Sequence, residues 1–263
     1  MTSTVLIETR PTDGGSSVGI VTLHDPDRRN ALRTDMVTGL VAAFDELEEN
    51  GDVGAVIVTG AGQAFCAGAD LGGLAAQGES EEASRREGML AIYEGFLRVA
   101  RSPLPTVAAV NGAAVGAGMN LALSCDLRLA GRRARFDSRF LQLGLHPGGG
   151  HTWMLERAVG PQMAAAMVLF GEVVGAEDAE RLGLVWRAVP DDQLMGAAMA
   201  LATKAAAAPP QLVRRAKKTL QAMPAVQQHA EAVELELGSQ LWSLGQPFFA
   251  ERLAALRASI GGR

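Results

Sequence analysis

Two segments rich in glycine and alanine are the parts of this chain whose residue types and spacing could do chemistry. The first is GAGQAFCAGADL, residues 60–71, and it directly follows an apolar run at residues 55–59. Glycine and alanine let a ligand approach the backbone closely, and successive N–H groups in such a turn can point at one negative oxygen. A glycine-rich turn after a strand is also common as a simple connection, so this segment alone does not establish a site.

The second segment is NGAAVGAGMNL, residues 111–121, which lies between the apolar run Thr106–Val110 and a predicted helix. This order places a helix N-terminus, with its unpaired N–H groups and the positive end of its dipole, beside the glycines. A dinucleotide-binding turn is disfavoured, because the glycine spacing differs and no acidic residue follows at the expected distance of about 20 residues. The second segment therefore favours a site that accepts a negative oxygen.

The elements around these segments alternate between strand-like and helix-like patterns. Two β-rich runs, 5–9 and 18–23, flank the turn-forming residues 12–17 and predict an antiparallel hairpin. Further strands are predicted at 55–59, Thr106–Val110 and 126–130, and helices at 34–50, 85–100, Ala117–Ser124 and 151–159. Alternation of strand and helix predicts an α/β fold with parallel pairing.

From about residue 190 onward the pattern is helical only. Amphipathic helices are predicted at 192–207, 211–223, 226–244 and 247–258, with prolines between them. We therefore expect a core over residues 1–190 and a helical region over residues 191–263. The apolar stripes of this helical region exceed what it can bury against itself, so we expect it to pack on the core or on another subunit of a homo-oligomer.

Composition excludes several classes of protein. The 263 residues carry 24 Lys and Arg against 29 Asp and Glu, a formal net charge of −5 that disfavours nucleic acid as a partner. We find neither a secretory signal at the start nor an apolar run of about 18 residues that could span a membrane, and we expect a cytoplasmic location. Cys66 and Cys125 stand outside any metal-ligand pattern, so we expect both to be buried and reduced.

Four motifs, in this order and spacing, carry a family resemblance: GAGQAFCAGADL, NGAAVGAGMNLALSCDLRLA, FDSRFLQLGLHPGGGHTWMLERAVG and GEVVGAEDAERLGLVWRAVP. They are similar to the enoyl-CoA hydratase/isomerase family, the crotonase superfamily. Together with DPDRRNAL at residues 25–32 and the helical tail, the resemblance covers nearly the whole chain.

The resemblance implies an α/β fold with a ββα spiral core and a C-terminal helical trimerisation region, in a trimer or a hexamer built as a dimer of trimers. It implies that the backbone N–H groups of Ala69 and Ala117 form an oxyanion hole for an acyl-CoA thioester, with coenzyme A as part of the substrate and no further cofactor or metal. Residues expected to contact this substrate are Arg28, Ala31, Ala67, Gly68, Asp70, Leu71, Gly72, Phe140, Gly148 and Arg252. For Arg252, in the tail, the expected contact is with coenzyme A phosphates.

The chain departs from the family pattern at two positions. Family hydratases use two glutamates as acid and base, and Asn120 and Phe140 stand at the matching positions here. Neither side chain has a titratable proton near neutral pH, so we expect very slow hydration. If the chain is an enzyme, enolate chemistry as a lyase or an isomerase is expected; the alternative is a non-catalytic fatty acyl-CoA-binding protein.

Other side chains could supply the missing function. Asn120 could orient water or the substrate carbonyl, and we take it as the first candidate for a direct polar role. His146 and His151 suit a base near pH 7, although His146 could simply hydrogen-bond in its turn and His151 could cap the following helix. Asp137 is expected to pair with a neighbouring arginine, and Asp70 to cap a helix.

Overall fold

The computed structural model describes residues 3–14 and 16–261. Strands β1 (Val5–Arg10) and β2 (Ser17–Leu23) form the predicted antiparallel hairpin, in a register that pairs Val5 with Leu23. Gly15, in the predicted turn, lies outside the described residues.

The remaining strands are β3 (Val53–Gly60), β4 (Ala64–Cys66), β5 (Thr106–Val110), β6 (Ala113–Val115), β7 (Leu127–Gly131), β8 (Arg135–Asp137), β9 (Val174–Gly175) and β10 (Arg187–Val189). The helices are α1 (Thr34–Glu49), α2 (Leu71–Glu79), α3 (Glu82–Ala100), α4 (Ala117–Ser124), α5 (His151–Leu169), α6 (Ala176–Arg181), α7 (Leu194–Ala206), α8 (Pro210–Ala222), α9 (His229–Leu244) and α10 (Pro247–Gly261).

Two sheets run through the first part of the chain. The larger has the order β1-β2-β3-β5-β7-β10, in which every pair after the hairpin is parallel. The smaller has the order β4-β6-β8-β9, with β4, β6 and β8 parallel and β9 antiparallel at its edge. A strand of the large sheet, a short strand of the small sheet and a helix follow one another three times, starting at β3, β5 and β7. This repeat confirms the predicted α/β fold of ββα units.

The small sheet was missing from the sequence-based prediction, because its strands are only two or three residues long. Such strands are too short to show a period of two in the sequence. Helix α5 is also longer than the expected 151–159: the chain bends at Gly160, where φ is +77°, and continues helically after Pro161. Proline is tolerated there because it opens the new helical segment after the kink.

One buried amide holds the first glycine-rich segment in place. Asn30 is fully buried, and its Nδ2 donates to the carbonyl oxygens of Ala61 and Ala64, both at 2.9 Å. Its Oδ1 accepts from the backbone N–H of Asp25 at 2.9 Å. Asn30 therefore satisfies backbone groups at both ends of the turn between β3 and β4 and fixes this turn.

The core has α1 on one side of the large sheet, with Met36, Leu40, Phe44 and Leu47 buried as predicted. Helix α7 covers part of the sheet too, through a buried stripe of small residues that ends at Ala206. A Cβ atom on Gly54 would lie 2.7 Å from the Cα atom of Ala206, so glycine allows this close approach of helix and strand.

Because of this packing, the chain divides into two compact units between Ala206 and Ala207, later than the expected boundary at 190. The second unit contains α8, α9 and α10, in agreement with the predicted helical tail. Within it, the Arg215 guanidinium lies 4.0 Å above the Trp242 ring, and Arg252 donates to the Ala207 carbonyl oxygen at 2.7 Å. Among the described residues, no helix is long and apolar enough to cross a membrane.

Candidate functional site

A cavity of about 940 Å³ opens in the first unit between the two glycine-rich segments. Its wall comes from residues 28–31, from both glycine-rich segments, from one side of α2 and α3, and from residues 138–148. The cavity thus lies where the second strand of successive ββα units leads into its helix.

The two glycine-rich segments meet at the cavity through Gly68 and the start of α4. Gly68 has φ of +92°, and a Cβ atom there would lie 2.6 Å from the Val115 carbonyl oxygen and 3.5 Å from Ala117 N. Ala69 and Ala117, the two predicted N–H donors, both line the cavity. Ala117 is the first residue of α4, where a helix leaves its N–H groups unpaired. Within residues 3–14 and 16–261, neither N–H donates a hydrogen bond to another protein group.

Three buried side chains form a hydrogen-bonded chain at the cavity wall. His151 Nδ1 lies 2.7 Å from Asn120 Oδ1, and His151 Nε2 lies 2.8 Å from the Ser138 hydroxyl. Asn120 Nδ2 donates to the Gly148 carbonyl oxygen at 3.0 Å. All three side chains are at most 2% exposed, and Ser138 and Asn120 line the cavity.

The hydrogen bonds determine the tautomer of His151. The Gly148 carbonyl can only accept, so the Asn120 atom beside it must be Nδ2, and Oδ1 must face the imidazole. His151 therefore carries its proton on Nδ1, and Nε2 accepts from the Ser138 hydroxyl. Burial lowers the pKa of His151 from 6.5 to about 4, so the ring is neutral near pH 7.

Phe140 closes this cluster on one side. Its ring centroid lies 4.9 Å from that of His151 and it lines the cavity. The expectation that His151 caps a helix is wrong, because Gly150 is the N-cap of α5 and no side-chain cap bond is made. The ring of His151 turns to Ser138 and Asn120 instead.

Asn120 and His146, the two predicted catalytic side chains, both line the cavity. Both polar atoms of Asn120 already bind protein partners, so its direct contact with a substrate stays a prediction. His146 lines the cavity as an exposed residue, and its Nδ1 lies 2.7 Å from the neighbouring Pro147 carbonyl oxygen.

Carboxylates are scarce at this site. Asp70 is the one acidic side chain among the lining residues that the structure describes, and its Oδ2 accepts from Gly73 N at 2.9 Å as the N-cap of α2. The predicted capping role of Asp70 is confirmed. Asp137 lies behind the cavity wall and accepts from Arg139 Nε at 2.8 Å, which confirms the predicted ion pair.

Most of the remaining lining is apolar, and it includes four arginines. Apolar side chains of α2, α3 and the 140–145 segment form one part: Leu71, Leu74, Met89, Ile92, Phe140, Leu143 and Leu145. The arginines are Arg28, Arg29, Arg85 and Arg139. The cavity therefore combines an apolar surface with an excess of positive charge, although the chain as a whole is acidic.

The remaining predicted contacts divide into two groups. Ala31, Ala67, Gly68, Leu71 and Gly148 line the cavity, as do the residues already named. Gly72 lies on α2 outside the lining, and Arg252 belongs to the second unit, so their predicted contacts remain untested.

Sequence reasoning missed Ser138, Tyr93, Arg29 and Arg85, all of which line the cavity. Cys66 and Cys125 are both buried, as expected, and desolvation raises the pKa of Cys66 to about 12. Within the described part of the chain, no three or more His, Cys, Asp or Glu side chains cluster so that they could hold a metal ion.

Comparisons with known proteins agree with this architecture. A family model described as enoyl-CoA hydratase/isomerase matches residues 13–243. A probable enoyl-CoA hydratase of Mycobacterium tuberculosis is 53% identical over 243 residues, which cover 90% of this chain and 93% of that protein.

Solved structures extend the similarity to the whole fold. A probable enoyl-CoA hydratase/isomerase from Mycobacterium abscessus superposes with a TM-score of 0.88 at 30% identity, over 98% of this chain and 97% of that one. An enoyl-CoA hydratase from Bacillus anthracis superposes with a TM-score of 0.88 at 29% identity, over 97% of this chain and 96% of that one. The chain belongs to the enoyl-CoA hydratase/isomerase family, the crotonase superfamily.

Proposed function

We propose that this chain binds an acyl-CoA thioester in the cavity, with the thioester oxygen at the N–H groups of Ala69 and Ala117. The observation that carries the proposal is that Ala69 and Ala117 line the same cavity and that, among the described residues, neither N–H has a protein acceptor. Preorganised donors of this kind stabilise the negative oxygen of an enolate or a tetrahedral intermediate, and each contributes about 3 kcal/mol in the transition state.

The lining supports an acyl-CoA as the ligand. An apolar surface suits an acyl tail, and arginines suit the phosphates of coenzyme A because their guanidinium groups bind phosphate oxygens in pairs. Arg28 is 60% exposed in its side chain and only distantly paired with Asp25, at 3.6 Å, so it is available at the rim. No resident cofactor beyond the substrate's own coenzyme A is part of the proposal.

Classical hydration is impaired in this proposal. Hydration needs an acid and a base near the double bond, and Asn120 and Phe140 offer neither. The one lining carboxylate in the described chain, Asp70, is engaged at the N-terminus of α2. We propose enolate or acyl chemistry in place of hydration; the scarcity of carboxylates also favours the second candidate, a fatty acyl-CoA-binding protein without turnover.

Calorimetric titration with octanoyl-CoA and with free coenzyme A tests the proposal. We expect octanoyl-CoA to bind at least about tenfold more tightly, because the cavity would also bury its acyl chain. Equal affinity, or no binding of either compound, would contradict the proposed site. With crotonyl-CoA, the absorbance of the conjugated thioester should stay nearly constant.

The oligomeric state belongs to the same proposal. Large apolar side chains are exposed on both units, among them Phe170 at 80% and Leu241 at 59%. Apolar surface of this kind commonly marks a contact between subunits. We propose a homotrimer, or a hexamer of two trimers, which light scattering on the purified chain would distinguish from a monomer.

A further inference from the structure

The hydrogen-bonded chain Ser138–His151–Asn120 lies at the cavity wall and has no role in the binding of the thioester oxygen proposed above. We propose that Ser138 is a nucleophile and that the protein hydrolyses its acyl-CoA ligand through an acyl-serine intermediate. This inference rests on the proposed function, because it uses the same thioester and the same pair of N–H groups.

The arrangement of the three side chains is that of a nucleophile, its base and an orienting group. The Ser138 hydroxyl lies 2.8 Å from His151 Nε2, within the range in which a base removes a hydroxyl proton. Asn120 Oδ1 accepts from Nδ1 at 2.7 Å and keeps the lone pair of the ring on Nε2, the side that faces Ser138. Asparagine can hold a catalytic histidine in this way, as the cysteine–histidine–asparagine arrangement shows.

Ser138 lies on a backbone segment next to the one that leads to Ala117. A Cβ atom built on Gly116 would lie 3.7 Å from the Ser138 carbonyl oxygen, and Gly116 directly precedes Ala117. Ser138 also follows Asp137, whose carbonyl accepts from Gly116 N at 2.9 Å. The nucleophile and one donor therefore lie on neighbouring backbone segments at the cavity wall.

The proposed reaction has two halves. In the first, Ser138 Oγ forms a bond to the thioester carbon and its proton moves to His151 Nε2. The C–S bond then breaks, and the coenzyme A thiolate takes the proton. In the second, water attacks the acyl ester and gives a proton to Nε2, which returns it to Ser138 Oγ as the ester C–O bond breaks. The sum is thioester plus water giving a carboxylic acid plus coenzyme A thiol.

Charge and burial fit these roles. A buried imidazole is neutral when the thioester arrives, so Nε2 has the lone pair that the first half needs. The imidazolium formed next and the negative oxygen proposed at Ala69 and Ala117 have opposite charges, and their attraction offsets part of the cost of charging a buried ring. Phe140, packed on the ring, keeps bulk water away from the base.

Saturated acyl-CoA thioesters distinguish thioester hydrolysis from hydration, because they have no double bond to hydrate. We would incubate the purified chain with butyryl-, hexanoyl- and octanoyl-CoA, measure thiol release with a thiol reagent, and search for an acyl adduct on Ser138 by mass spectrometry. Ser138→Ala should bind octanoyl-CoA with unchanged affinity. Its rate of thiol release should be lower by about 10³-fold or more. Ser138→Cys, which retains a nucleophile, should still form the adduct.

The control is Ser102→Ala, which removes a buried serine outside the cavity and should leave thiol release unchanged. Binding of octanoyl-CoA without thiol release or adduct in the unaltered protein would overturn the nucleophile while leaving the proposed function intact. Equal thiol release by Ser138→Ala would also overturn it. Absence of binding would remove the proposed function, and the inference with it.

Discussion

His151 Nδ1 and Asn120 Oδ1 lie 2.7 Å apart in a cluster that is almost completely buried. Because the Gly148 carbonyl takes the N–H of the same carboxamide, only one orientation of Asn120 and one tautomer of His151 satisfy all the groups. Asn120 therefore orients the imidazole of His151 in this chain.

Replacing Asn120 with leucine should destabilise the fold. The change roughly conserves the volume of the side chain, but it removes the carboxamide that hydrogen-bonds to the His151 ring and to the Gly148 carbonyl. Each buried unsatisfied polar group costs about 1–3 kcal/mol, so we expect a loss of about 2–4 kcal/mol in the free energy of unfolding, measured by denaturant titration.

The control for Asn120→Leu is Asn50→Ala, at an exposed position after α1, where we expect a change within about 0.5 kcal/mol. An equally small change for Asn120→Leu would show that its hydrogen bonds contribute little to stability.

Acid should destabilise the protein through His151. Burial lowers the pKa of His151 from 6.5 to about 4, so between these values the unfolded chain binds a proton that the folded chain does not. Stability therefore rises with pH across this window: the contribution is complete above pH 6.5 and is lost as the pH falls towards 4, by at most about 3 kcal/mol.

Denaturant titrations at several values between pH 7 and pH 4.5 should show this slope in the unaltered protein and a flatter one in His151→Gln. His229→Gln, which removes an exposed histidine of the second unit, should retain the original slope. Identical slopes for all three proteins would contradict a buried neutral His151.

Gly68→Ala should weaken acyl-CoA binding. The new Cβ atom would lie 2.6 Å from the Val115 carbonyl oxygen, in a backbone conformation with φ of +92° that alanine rarely adopts. The two segments that carry Ala69 and Ala117 would have to move apart. We expect calorimetry to show a loss of affinity for octanoyl-CoA of about tenfold or more.

Gly196→Ala is the matched control, since a Cβ atom at this position of α7 meets nothing within 4 Å. This variant should bind octanoyl-CoA normally and be slightly more stable, because alanine is the better helix former. Normal binding by Gly68→Ala as well would mean that the two segments tolerate displacement.

Asn30→Ala should destabilise the first glycine-rich turn. It removes the donor that serves the Ala61 and Ala64 carbonyl oxygens at 2.9 Å each. We expect a loss of about 2–4 kcal/mol in the free energy of unfolding, with weaker binding of octanoyl-CoA in the fraction that remains folded. Asn30→Asp should lower the free energy of unfolding nearly as much, because a carboxylate cannot donate to these carbonyls. A small loss of stability in Asn30→Asp would contradict this account and would indicate that water serves the two carbonyl oxygens.

The sequence predicted the parts of this fold that depend on local patterns. The buried face of α1, the hairpin of β1 and β2, and the start of α4 at Ala117 follow from periodicity and glycine placement. The family resemblance supplied Ala69 and Ala117, which backbone chemistry alone could not have selected among many small residues.

The hydrogen-bonded cluster was beyond prediction for a physical reason. Ser138, His151 and Asn120 are separated along the chain, and their contact depends on how α4, α5 and β8 pack. Ser138 stands between Asp137 and Arg139, a surrounding typical of a polar turn, so no local pattern marks it. The helix predicted at 192–207 corresponds to α7, but a stripe of alanines does not reveal in the sequence that this helix covers the large sheet.

The measurement that tests the account most directly is a crystal structure of Ser138→Ala with octanoyl-CoA bound. We predict the thioester oxygen within about 3 Å of both Ala69 N and Ala117 N, with the acyl chain along the apolar lining and position 138 facing the thioester carbon. A thioester oxygen held elsewhere, with these two N–H groups bound only to water, would contradict the account.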